Sequence, residues 1–208
     1  MNKMNIPWPG DRDKFFRQGS PWDPIVAVLG DWLKYHSCNV PLPKAYKEAT
    51  DIILSYIEDG KIVRHPDIYF FPIAYLYRHG IELCLKELVQ YGIRLRILQE
   101  DEKLEKLMGD HKLYPLWNMV RIVLEKIWPN GDKNDLKNVE RLIQEFHTID
   151  PTGQNLRYLM DKTGQPTTEK LPHSVDLKIL RDTCNSLFHF FEGCEAGLSE
   201  AENWQGNY

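Results

Sequence analysis

One stretch limits the possible folds more than any other: Phe70-Phe71-Pro72-Ile73-Ala74-Tyr75-Leu76-Tyr77-Arg78-His79-Gly80-Ile81-Glu82-Leu83-Cys84-Leu85-Lys86-Glu87-Leu88-Val89. Ala74, Tyr77, Ile81, Cys84, Leu85 and Leu88 recur at three- and four-residue steps, the period of a helix with one apolar stripe. Pro72 reads as its opening turn, where a missing N–H costs nothing. Arg78 falls inside the stripe, and Glu82 lies one turn further along the same side. A cation and a carboxylate on a buried margin are costly unless each meets a partner. Two readings are open: a structural ion pair that fixes register, or a polar constellation facing a cleft or a partner subunit.

With 208 residues, 42% of them hydrophobic, the chain is long enough for one domain with trimmings. We divide it into an irregular arm over 1–22, a single helical domain over 23–198 and a tail over 199–208. No run of ~20 uninterrupted apolar residues marks a membrane span. The first ten residues lack the apolar core of a secretory signal. Cys38, Cys84, Cys184 and Cys194 form no CxxC pair, so they read as reduced thiols of a cytoplasmic protein, neither a disulfide frame nor a zinc site. A net charge of -4 argues against broad nucleic-acid binding and leaves room for a local basic pocket.

In chain order, Asp23-Pro24 opens a helix with Ile25, Val28, Leu29, Trp32 and Leu33 on one face. A second carries Ala45, Ala49, Ile52, Ile53, Tyr56 and Ile57 and stops at Asp59-Gly60. The central helix runs from about Phe70 to about Gln99, with Gly92 marking a bend. Residues 100 to 110 read as a charged connection. Asp110 caps a helix over His111 to Ile127, and Asn134 or Asp135 opens another through about Phe146. Asp150-Pro151-Thr152-Gly153 and Lys162-Thr163-Gly164 mark an irregular or hairpin excursion near 148–172. Ser174 caps the last long helix. The sum is an all-α bundle of five or six helices.

Three pieces follow one another in order: Arg78-His79-Gly80-Ile81-Glu82-Leu83-Cys84-Leu85-Lys86, then Gly109-Asp110-His111-Lys112-Leu113, then Leu156-Arg157-Tyr158 with Asp161 and Gly164 behind it. This order resembles the HEPN superfamily (higher eukaryotes and prokaryotes nucleotide-binding domain) over roughly residues 65 to 195. The resemblance implies an all-α bundle of HEPN type, usually homodimeric, found in toxin–antitoxin and antiviral systems. A partner protein such as a nucleotidyltransferase-type antitoxin goes with it. Its catalytic members are metal-independent ribonucleases with an Arg-x4-6-His motif, so neither a metal nor a cofactor is expected.

Such a pair suits the chemistry. An arginine grips a phosphate bidentately, and a histidine titrates where a 2′-hydroxyl proton must move. Arg141 and His147 have the required spacing and are the candidate catalytic pair. They converge only if the helix ends before His147, because a six-residue step on a helix separates side chains by about 120°. Arg78, Glu82 and Arg157 are the candidate substrate-binding residues. Arg181 and His189 have one residue too many between them, and His189, beside Phe188 and Phe190, reads as packed. No HExxH, P-loop, GxGxxG or GxSxG pattern occurs. The expected function is a non-catalytic HEPN-like binding or partner module. A HEPN ribonuclease acting on RNA through the Arg/His pair is the alternative, and a small-molecule enzyme of another kind the third.

Overall fold

The computed structural model describes residues 42–61 and 66–206. The expected arm over 1–22 and the helix opened by Asp23 lie outside these residues. The described part contains six α-helices and no strand: α1 Leu42–Glu58, α2 Pro66–Arg94, α3 Glu102–Gly109, α4 Leu113–Ile127, α5 Lys133–Ile149 and α6 Leu177–Gly206. The only pairing of strand type among them is a bridge between Met160 and Pro166 in the excursion that joins α5 to α6.

The all-α expectation holds, and α2 is the axis of the bundle. It packs against α1, α4 and α6, while α5 leans on α4. Of the stripe, Ala74, Tyr77, Ile81, Leu85 and Leu88 are buried and Cys84 is partly buried; Ile73 is buried beside them. Arg78 and Glu82 are buried with them, at 1% and 2% exposure. A helix covered on several sides has no polar face on which to leave these charges.

Several boundaries differ from the sequence reading. Pro66 begins α2, and Pro72 sits inside it, where one intrahelical hydrogen bond is missing. α2 continues through Gly92 to Arg94. A β-carbon at Gly92 would lie 2.4 Å from Val123 Cγ2, so the missing side chain is what lets α4 approach. The charged connection is largely helix α3, whose N-cap Asp101 accepts from Leu104 N. Asp110 ends α3, with its N–H donating to Leu107 and Lys106 carbonyls, and α4 starts without a side-chain cap. Asp132 caps α5. Asp176, not Ser174, accepts from Lys178 N and Ile179 N at the start of α6. The supposed tail from 199 is the continuation of α6, with Trp204 exposed. In α1, Ile52 and Tyr56 face outward.

α2 and α6 run parallel with constant register. A β-carbon at Gly80 would meet the Phe188 ring, Tyr91 and Ser199 hydrogen-bond through their side chains, and Arg94 Nε lies 2.7 Å from Glu202 Oε1, the last pair 108 positions apart in sequence. Phe188, Phe191 and Leu198 fill the seam below 4% exposure.

Candidate functional site

The site grows out of one guanidinium. Arg78 Nη1 donates to Glu82 Oε2 at 3.1 Å, one turn along α2. Nη2 donates to the His111 carbonyl just before α4. Nε donates to the Asp150 carbonyl at 3.2 Å and lies 3.1 Å from Asp150 Oδ2. Asp150 is fully buried at the C-terminal end of α5. Its Oδ1 accepts from Asn155 N, and Asn155 Nδ2 donates to the Ile149 carbonyl. Arg78 therefore ties α2, the α3–α4 junction and the start of the excursion to one point. Five N–H donors in a rigid fork make arginine suited to this, since each donor can be met by a separate acceptor.

Glu82 is saturated too. Its Oε1 receives Lys86 Nζ and His111 Nδ1, each at 2.9 Å. Burial pushes the Glu82 carboxyl up, but the hydrogen bonds from Lys86 and His111 outweigh it and hold the carboxyl below its ordinary value. His111 is 55% exposed, so its Nε2 faces away from the carboxylate. A carboxylate on one ring nitrogen fixes the tautomer and orientation of the imidazole and leaves the other nitrogen to work.

Around His111 lies a ring of cationic and aromatic groups. Gly153, at φ +75, packs under it: a β-carbon there would lie 3.2 Å from His111 Cβ and 3.1 Å from Arg78 Nη1. The Gly153 carbonyl accepts from Arg157 Nε at 2.8 Å. The Arg157 guanidinium lies 5.7 Å from the Tyr75 ring and 5.6 Å from the Tyr158 ring. Tyr75 stacks on His79 at 5.9 Å and 12°, and Tyr46 meets His79 edge-on. Burial holds the His79 imidazole below its ordinary value, opposed by Glu82 and aided by Arg78, His111 and Lys86.

The sequence-derived residues therefore divide. Arg78 and Glu82 meet as expected, but as a buried knot that a ligand cannot touch. Arg157 is at the surface above them. Arg141 and His147 do not share a cleft, because α5 runs on past His147 to Ile149. Arg141 stands exposed at the rim of a cavity of about 570 Å³ between α5 and α6, floored by Phe70, Ala74, Leu180 and Leu187. His147 stacks on Tyr114 of α4 at 6.2 Å. Burial, then Arg78 and Lys112, hold His147 below its ordinary value. His189 is exposed, not packed. His79, His111, Lys86 and Asp150 were missed as site residues. The first three lie inside the quoted motif pieces, which was the signal available; Asp150 had none beyond its turn.

Cys84, Cys184 and Cys194 are free thiols. Burial pushes Cys184 and Cys194 up to about 12, which leaves almost no thiolate for nucleophilic chemistry. Among the described residues no three His, Cys, Asp or Glu side chains are arranged to hold a metal. No helix there is long and apolar enough to cross a membrane. The chain matches no known protein family, no curated protein and no solved structure.

Proposed function

We propose that the chain is a HEPN-like helical module of toxin–antitoxin or defence type that binds RNA at the patch made by His79, His111, Lys86, Arg157 and Tyr75. One observation carries this reading: three motif pieces far apart in sequence meet around Arg78. Residues 78–86 supply the knot and its lysine, residues 109–113 supply His111, and residues 156–158 supply Arg157 and Tyr158. The bundle then works as a homodimer, with a partner protein of nucleotidyltransferase type as its antitoxin.

The patch has the two things that single-stranded RNA recognition needs. Cations meet phosphates, and ring planes meet bases. Tyr158, Arg157, Tyr75 and His79 follow one another at 5.6, 5.7 and 5.9 Å. The acidic balance of the chain as a whole confines binding to this spot.

Fluorescence anisotropy with a labelled single-stranded RNA at low salt tests the reading. Arg157→Ala is expected to weaken binding about tenfold, since one stacking or cation–π partner contributes about 1–3 kcal/mol. Equal affinity in wild type and Arg157→Ala would remove the patch from the reading.

The Glu82–His111 pair favours a second reading, cleavage. An imidazole oriented by a buried carboxylate can take the 2′-hydroxyl proton through Nε2. Incubation with RNA and a chelator would then give cleavage that His111→Ala abolishes and Arg141→Ala leaves intact. Cleavage unaffected by His111→Ala would end that reading and leave the binding proposal standing.

A further inference from the structure

The parallel seam between α2 and α6 has one rung that does not match the others. Gly80 meets the Phe188 ring, Tyr91 meets Ser199, and Arg94 meets Glu202. The same offset of 108 residues places Glu87 across from Glu195, close enough for the second carboxylate to act on the first. Both are partly buried, and neither forms an ion pair among the described residues. The charged groups acting on Glu87 there are Glu195 and Arg94. Arg94 is held by Glu202 and by the Tyr91 ring, 4.1 Å from its guanidinium. Glu192, exposed on the next turn, acts with Glu87 and Glu195 on the partly buried Cys84 thiol, which burial pushes up. Tyr91, just below, is pushed up first by burial and then by Glu195 and Glu87.

We infer that this rung is a pH-sensitive latch: a proton on Glu87 lets the two carboxyls face each other, and its loss sets two anions together inside the seam. Like charges directly opposed on neighbouring helices repel, and burial removes the water that would screen them. Burial and Glu195 push Glu87 up to about 7. The folded chain therefore keeps a proton that the unfolded chain has already released. The stability this gives is complete below the ordinary carboxylate range and is lost as pH rises through about 7. His79 and His147, both held low, act in the opposite direction, since their contribution is lost as pH falls. They cannot mimic the effect.

The test is a series of thermal melts of the full chain from pH 5 to pH 9. Wild type should lose on the order of 5 °C between pH 5 and pH 8. Glu87→Gln should flatten that fall and melt higher than wild type at pH 8. Glu195→Gln removes the opposing charge from the other helix and should do the same, so the test survives if one variant fails to fold. Amide exchange at α6 residues 192–202, corrected for intrinsic rate, should accelerate between pH 5 and pH 7 and level off above that in wild type alone. A wild-type melting point that does not fall, or a fall of equal slope in both glutamine variants, overturns the latch.

Discussion

Arg78→Ala should lower the melting temperature by roughly 10 °C or leave the chain unfolded, because breaking a buried ion pair costs about 3–5 kcal/mol. The loss comes from what remains behind. Asp150 would be left without its cation at 0% exposure, Glu82 would keep only Lys86 and His111, and the His111 and Asp150 carbonyls would lose a donor. Leaving a buried acceptor unmet is costlier than never having buried it. Arg78→Lys should recover only part of the stability, since an ammonium cannot reach acceptors on three separate segments. Arg78→Met combined with Asp150→Asn should be more stable than Arg78→Ala, because it removes the stranded carboxylate along with its partner. Circular dichroism melts read all three. A melting point unchanged in Arg78→Ala would mean that the knot is not what joins α2 to the excursion.

Gly153→Val should cost about 2–4 kcal/mol, from a left-handed backbone that a branched side chain resists and from overpacking. It should also act locally. The added atoms would press on Arg78 Nη1 and His111 Cβ, both close to the built β-carbon. His111 would then be displaced from Glu82, and any RNA affinity of the proposed patch should fall by more than the melting point alone accounts for. Gly164 provides the control. It has a similar φ of +79 but nothing within 4 Å of a β-carbon, so Gly164→Val should show the strain without the displacement. Proton NMR of the His111 ring, compared across the two variants, checks this. Equal changes in both would reduce Gly153 to an ordinary turn residue.

The central helix was legible because periodicity is local: Ala74 to Leu88 announce their buried face without knowledge of any neighbour. The Arg78–Glu82 pairing was legible for the same reason, being one turn long. The rest of the knot was not. Asp150 is 72 residues from Arg78 and His111 is 29 from Glu82, and no local pattern encodes such meetings. The misplaced caps have a different cause. Asp110 stands between two helices, and an aspartate in that position can end one or begin the next. Only the direction of its N–H, toward Leu107 and Lys106, decides. Arg141 and His147 fitted a spacing in one dimension, but the helix carries on through Ile149 and turns them apart.

The register shared by α2 and α6 has a consequence for how the chain is born. Two helices pointing the same way must be joined by a long return path, here everything from Leu95 to Asp176. Pairings so distant in sequence form late, because the loop between them has to close first. During synthesis α2 emerges about a hundred residues ahead of its partner, with the face around Gly80 and Tyr91 still uncovered. For that interval the nascent protein presents a greasy rod to its surroundings, the kind of surface that chaperones exist to shield.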